Sequence, residues 1–421
     1  MASPVRVREL RYLSGTTFNT TFTAADDAAW AAGTAVKLRP ISFDASGLDY
    51  SSEADPTLES QLYRGRPNIP LIRTGGIKFG LFLEGAQSDT AANPVATLLS
   101  KILGGIQGPA SSRTANAVTS GGSTTVLAST GIGAKVYPGQ AVLCGLRSEA
   151  RGHGEVRVIA SEATDSVTFA MAIQGAMTET LPDVGVISTT VYFDPGADQS
   201  YLDFLAIGHS AEDQLQVIGA MGGFELADLG PGKVPKINFD LRCGDWQEVA
   251  SGDRDQLEPT SAASGNAPAG SRGLGGFFLQ DNGTTTRAVY KCADFSCSPG
   301  IAYEPVPDFN GVNGLGGWQK VVSVPTWEAT LLLEGSTDPL PGFYEDFVAG
   351  TAKQLLVQFG HAAQGTVAID FPKCYFDGPP IRTDAGGLTA VKVKGHGEMV
   401  AYSRSAATDS LAVSPMRIHF M

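Results

Sequence analysis

Along GIKFGLFLEG, Ile77, Phe79, Leu81 and Leu83 alternate with Lys78, Gly80, Phe82 and Glu84. A period of two is that of a strand with one dry face. KINFDLRCGDW repeats the pattern, with Ile237, Phe239, Leu241 and Cys243 on one side and Lys236, Asn238, Asp240 and Arg242 on the other. Further on, Val391 and Val393 alternate with Lys392 and Lys394. So many charges do not fit a closed core, so one face of these sheets meets water or a partner, as in antiparallel sheets. Helical spacing is rarer. NPVATLLSKILGG places Val95, Leu98, Leu99, Ile102 and Leu103 on one stripe, with Asn93 as cap, Pro94 in the first turn and Gly104 as the stop. PGFYEDFVAG is a weaker helix: Pro341 opens it, Phe343 and Phe347 share a face, and Gly350 closes it. The pattern predicts a mainly β chain.

Each helix follows a strand ending in nearly the same letters, LFLEG at 81–85 and LLLEG at 331–335, an offset of 250. Gly47-Leu48-Asp49-Tyr50 resembles Gly300-Ile301-Ala302-Tyr303 at an offset of 253. Ile207-Gly208-His209-Ser210 resembles Phe359-Gly360-His361-Ala362 at 152, and Cys243-Gly244-Asp245 matches His396-Gly397-Glu398 at 153. Four matches in one order with a single jump of 98 residues predict an internal duplication with an insert in the first copy. The expected domains are a first β-sandwich copy from 1–106 and 195–252, an inserted small β domain at 107–194, a linker or arm at 253–287, and a second copy at 288–421. Within the insert, AVLCG (141–145), EVRVIA (155–160), SVTFAM (166–171) and VISTTVYF (186–193) read as short strands of a small barrel or sandwich. Because a helix stop precedes it and a core strand follows it, deleting 109–193 is expected to leave the sandwich intact.

Composition narrows the classes. With 43 % hydrophobic residues the 421-residue chain can build large cores, so global disorder is excluded. No apolar run reaches the length of a membrane helix, and MASPVRVREL lacks the apolar segment of a secretory signal. Cys144, Cys243, Cys292, Cys297 and Cys374 are odd in number and scattered, which predicts reduced thiols rather than a disulfide framework. Cys292 and Cys297 lack a second pair or neighbouring histidines, so zinc is not expected. A net charge of −13 argues against sequence-independent nucleic-acid binding, which needs clustered Lys and Arg.

Candidate chemistry is sparse. His209 and His361 sit in repeat-equivalent turns and read as inherited turn residues rather than paired bases. There is no nucleophile elbow and no Walker loop, and Ser120-Gly121-Gly122-Ser123 lacks the lysine of a phosphate cradle. Asp44, Asp49, Glu53 and Asp55 do not have EF-hand spacing and read as a solvated loop. Glu84 and Glu334 are repeat-equivalent carboxylates without an evident catalytic partner. Arg64, Arg66 and Arg73 form the one local basic cluster, an expected docking strip for an acidic segment such as 44–55 of another subunit. Trp30, Trp246, Trp318 and Trp327 read as core or interface. No catalytic, cofactor or metal site is expected, and no enzyme.

The order of elements, with the acidic DASGLDYSSEADPTLES, the Arg-Gly-Arg stretch, the passage GIKFGLFLEG to NPVATLLSKILGG, and LQVIGAMGGFELADLGPGKVPKINFDLRCG, resembles the tail tube proteins of siphovirus-type, long-tailed, non-contractile bacteriophages. The resemblance covers about 330 residues and leaves out the insert. It implies duplicated β-sandwich domains, each flanked by a helix, in a structural virion protein. Its rings would stack into a tube through which double-stranded DNA is ejected without specific binding. A duplicated chain implies a homotrimer with pseudo-sixfold symmetry in place of a homohexamer. The implied partners are further copies of the chain and other tail proteins such as tape measure, terminator and tip. The implied location is the virion tail, assembled in the host bacterial cytoplasm, with the insert as outer decoration. The rival class is a secreted or surface-layer β-rich structural or adhesin protein.

Overall fold

The computed structural model describes residues 7–15, 30, 35–46, 48–53, 69–86, 93–110, 123–145, 154–172, 186–194, 196–197, 200–208, 214–248, 275–286, 288–308, 315–333, 339–360, 365–400 and 407–421. Within them the chain is mainly antiparallel β-structure. The first region holds β1 (Glu9–Gly15), β2 (Val36–Leu38), β3 (Ser42–Asp44), β4 (Asp49–Glu53), β5 (Ile69–Phe82), α1 (Pro94–Leu103) and β6 (Gly104–Gln107). Then come β7 (Val126–Ala128), β8 (Ala141–Gly145), β9 (Gly154–Ala163), β10 (Ser166–Phe169) and β11 (Val186–Ile187). The chain returns through β12 (Thr189–Phe193), β13 (Tyr201–Ile207), β14 (Gln214–Leu229), β15 (Lys236–Cys243) and β16 (Asp245–Glu248). The remainder is β17 (Gly275–Asp281), β18 (Val289–Tyr290), β19 (Cys292–Ser298), β20 (Ile301–Pro307), β21 (Leu315–Ser323), β22 (Thr326–Leu332), α2 (Leu340–Ala349), β23 (Lys353–Phe359), β24 (Val367–Phe376), β25 (Ile381–Ala385), β26 (Leu388–Gly397), α3 (Ala407–Val413) and β27 (Arg417–Phe420).

The two regions pair their strands in the same order. In the first the series is β1, β13, β14, β15, β5, β3. In the second it is β17, β23, β24, β26, β22, β19. Both ladders slip at the same step, between Leu202 and Phe204 and between Lys353 and Leu355. In the first region the extra residue is accommodated near Gly219, whose φ of 60° is unstrained only without a side chain. Such a bulge bends a strand so that it can serve two sheets. The first half of β14 pairs with β13 and β16, and its second half with β15. Between the layers lies a core in which Phe79 stacks on Phe239 at 4.7 Å and both Phe79 and Tyr12 meet Phe204.

The period-two reading of these strands holds. Ile237, Phe239, Leu241 and Cys243 are buried, while Asn238, Asp240 and Arg242 are exposed. One of the sequence matches lies a residue out of the strand register. The register puts Cys243 opposite Gly75, and Gly397 donates its N–H to Pro325, so Gly397 corresponds to Cys243 and not to Gly244.

The helix signals were equally local. Asn93 is fully buried, and its Oδ1 accepts from the N–H groups of Val95 (2.8 Å) and Ala96 (3.4 Å). Its Nδ2 donates to the carbonyls of Glu84 (2.9 Å) and Gly85 (2.6 Å), tying the helix start to the preceding strand end. Gly104 ends the helix at φ 106°. Replacing Asn93 by Ala removes the cap and strands two buried carbonyls, so thermal or urea unfolding should show a loss of about 2 kcal/mol. Asn93→Ser should recover the cap but not the carbonyl bonds; an Ala variant as stable as the parent would show that the cap contributes nothing.

The inserted residues form a five-stranded sheet in the order β11, β8, β9, β10, β7. It closes over Leu127, Ile132, Val142, Ile159 and Phe169. Its other face lays Ala141, Leu143, Val156 and Val158 on Phe278, Leu356, Ala368 and Met421 of the second region. Gln358 bridges the two, accepting from Val156 N–H (2.9 Å) and donating to the Gly154 carbonyl (2.8 Å). The stretch VISTTVYF splits at Ser188: β11 stays with the insert, whereas β12 pairs with β6 and β27 in the main body. Gln140, fully buried, clasps this neck by donating to the carbonyls of Gln107, Gly108 and Ser188. The inserted body therefore closes at Ser188, short of the expected boundary at 194. The segment 253–287, read as a linker, contains β17, whose Phe277-Phe278-Leu279 is a core strand too short to stand out between glycines. Among the described residues no helix is long and apolar enough to cross a membrane.

Candidate functional site

Near its end β14 keeps β15 along one edge and takes β19 along the other, Leu226 opposite Cys297 and Leu229 opposite Phe295. All four side chains are buried, so the junction is dry. It joins the two regions into one sheet running β3, β5, β15, β14, β19, β22, β26, β25. Period-two alternation then gives this sheet a single polar side.

On that side Lys78 and Asp240, directly opposed across β5 and β15, form an ion pair at 2.9 Å. Glu328 and Lys394, directly opposed across β22 and β26, do the same at 2.8 Å, with Lys392 also on Glu328 at 2.5 Å. The two pairs occupy the same place in their regions with the signs exchanged. Lys233 reaches Asp294 at 3.5 Å beside the junction. Hydrogen bonding to Asp240 raises the Lys78 ammonium pKa, and hydrogen bonding to Glu328 raises that of Lys394. For Glu328 burial pulls upward, but the two lysines outweigh it and hold the carboxyl below its ordinary range. Exposed pairs of this kind are screened by water and salt, so they keep the face wet and add little to the stability of the fold. A cleft of about 710 Å³ opens on this face, lined by Ser42, Asp44, Lys78, Asp240 and Arg242 and by Tyr303 of the β20–β21 hairpin.

Of the residues singled out in the sequence, His209, His361, Arg64, Arg66, Asp55, Ser120 and Glu334 lie outside the described residues. Asp49 and Glu53 are placed in β4, and Arg73 in β5, by their backbone. Asp44 is exposed and accepts from the Ser46 N–H at 2.8 Å, which lowers its pKa. Glu84 is half-buried, and desolvation raises its pKa. The four tryptophans are buried, and Trp318 Nε1 donates to the Gly219 carbonyl at 2.9 Å, bracing the β14 bend. Cys292 and Cys297 share β19, but the first is half-buried and the second lies in the core. Burial pushes the thiols of Cys144, Cys243 and Cys292 up to about 12, and those of Cys297 and Cys374 upward as well, so they are poor nucleophiles. Among the described residues no three His, Cys, Asp or Glu side chains are grouped to hold a metal ion.

Sequence reasoning missed a buried polar cluster where β24, β27 and β12 meet. Arg417 donates through Nε to Asp370 Oδ2 at 2.7 Å and pairs with it through Nη2 as well. Next to it, His419 Nδ1 lies 2.9 Å from Thr190 Oγ1, which is 2.8 Å from Ser188 Oγ. Burial holds His419 well below its ordinary range, and the Arg417 charge adds to that. The available signal was RIHF, a strand with two polar residues in an apolar context. No protein-family model and no curated protein sequence matches this chain.

Proposed function

We propose that this chain is a tube-forming structural subunit of a siphovirus-type phage tail, with two copies of one sandwich fused in tandem. The continuity of a single sheet through both regions, with one polar side, carries the reading. It is the geometry of a wall segment rather than of two independent domains. Three further observations support duplication: the matching strand order, the bulge at the same step, and the ion pair at the same place with its charges exchanged.

Each chain then supplies two positions of a ring, three chains make a pseudo-sixfold ring, and rings stack through the Arg64 and Arg66 strip onto segment 44–55. The polar side faces the lumen. Lys78 is held by Asp240, Lys233 by Asp294, and Lys392 and Lys394 share Glu328, so passing double-stranded DNA meets a face on which much of the positive charge is already paired. Function on this reading is shape and assembly, with no catalysis and no cofactor. The other tail proteins cap and span the tube, and assembly takes place in the host cytoplasm.

Negative-stain microscopy and mass photometry of the full chain test this. Rings with six lobes and the mass of three chains, or tubes of stacked rings, are the expected result. Monodisperse monomers at micromolar concentration would overturn it, and extended two-dimensional lattices would favour a surface-layer protein instead.

A further inference from the structure

The junction between β14 and β19 occurs once inside the chain, but the repeat leaves its two halves open elsewhere. The counterpart of β19 in the first region is β3: Phe43 lies opposite Phe79 as Phe295 lies opposite Ala329. The counterpart of the second half of β14 is β25, which continues along β26 past Phe376. Among the described residues β3 pairs only with β5, and β25 only with β26.

Two features of these edges point to a missing neighbour. Phe295 is 1 % exposed beneath Leu229, whereas its counterpart Phe43 is only half-buried. Three large apolar side chains sit exposed on the same two edges: Ile41 (41 %) next to β3, and Ile381 (59 %) and Leu388 (57 %) on the β25–β26 hairpin. Open strand edges with apolar side chains are templates for pairing.

We propose that β25 of one chain pairs antiparallel with β3 of a second copy, reproducing the internal junction. The internal register transfers directly. Leu229 opposite Phe295 becomes Ala385 opposite Phe43, and Leu226 opposite Cys297 becomes Arg382 opposite Ala45. Inside the chain the turn at Gly230 lies against the Ala293 carbonyl, 2.8 Å from where a Cβ would stand. By the same register Ile41 of the second copy comes against the Gly386-Gly387 turn beside Leu388. The contact is head-to-tail, and head-to-tail contacts close into rings when the rotation per step allows. The register comes from this chain's own junction; closure at three chains rests on the tube reading above.

The test is a cross-chain disulfide. Directly opposed residues of an antiparallel pair lie about 4.5–5.5 Å apart between Cα atoms, within disulfide reach. The two edges of one chain are separated by seven strand spacings, about 34 Å, so an internal bond is impossible. Ala45→Cys with Arg382→Cys, oxidised by air oxygen with copper phenanthroline as catalyst, should give a non-reducing gel ladder of two and three chains that dithiothreitol collapses. Each single variant should give none. A double variant that forms rings by microscopy without cross-linking overturns the edge assignment and leaves the tube reading standing. A ladder running past three chains supports the contact and overturns the three-chain ring. Monomers without cross-links overturn both.

Discussion

Excising residues 109–188 and closing the gap with a short Gly/Ser linker is expected to give a chain that aggregates, despite an intact pairing order in both regions. The sequence favours the opposite outcome, since a helix stop and a fresh strand bracket the insert. The difference comes from the second face of the inserted sheet, which covers Phe278, Leu356, Ala368 and Met421. These four are at most 3 % exposed with the insert in place. Phe278 and Leu356 alone contribute about 3–6 kcal/mol of apolar burial, by the usual 1.5–3 kcal/mol per large side chain. Uncovered together they make a contiguous apolar patch on the outside of a sheet. Sedimentation and dye binding should report loss of soluble chain with exposed hydrophobic surface. Adding Phe278→Thr and Leu356→Gln to the excision should restore solubility, because both positions then face water on a half-wet sheet. Extending the deletion to 193 should fail even with those changes, because β12 holds the free side of β27 through Thr190 and His419. If the plain 109–188 deletion stays soluble and monodisperse, the insert is a detachable appendage and the packing argument is wrong.

Asp370→Ala is expected to cost about 3–5 kcal/mol, the usual penalty for leaving one partner of a buried ion pair uncompensated. Asp370 and Arg417 are 3 % and 4 % exposed, and without Asp370 the buried guanidinium keeps a bond to the Leu411 carbonyl at 3.5 Å but no counter-charge on it. Burial raises the Asp370 pKa and the Arg417 charge pulls it down without fully offsetting it. The two residues are directly opposed across β24 and β27, and the cost of burying such a pair offsets most of its attraction, so it adds little net stability over an apolar filling. The double variant Asp370→Leu with Arg417→Met, which fills the site with apolar atoms, should then be more stable than Asp370→Ala. Urea unfolding of the three proteins decides this. A single variant within 1 kcal/mol of the parent, or a double variant worse than the single, would show that the pair does not act in this way.

Which side chains enter the core was legible in the sequence strand by strand. Backbone geometry alone sends Ile237, Phe239 and Leu241 to one side and Asn238, Asp240 and Arg242 to the other. The same holds for α1, where Asn93 and Pro94 act on the first turn and Gly104 on the last. The sequence matches also anticipated the common strand order of the two regions, although the match of Gly244 with Gly397 lies one residue out of the strand register. Three things were decided only by tertiary structure. They are the β14–β19 junction, the seating of the insert on Phe278 and Leu356, and the buried Asp370–Arg417 pair. Strand edges join through backbone N–H and C=O groups that every residue carries, so nothing in the side-chain order names the partner. Arg417 and Asp370 are 47 residues apart, and Gln358 and Val156 are 202 apart. At such distances burial follows from what the fold brings together, and an exposed-looking Arg, Gln or Asp in the sequence becomes an interior group.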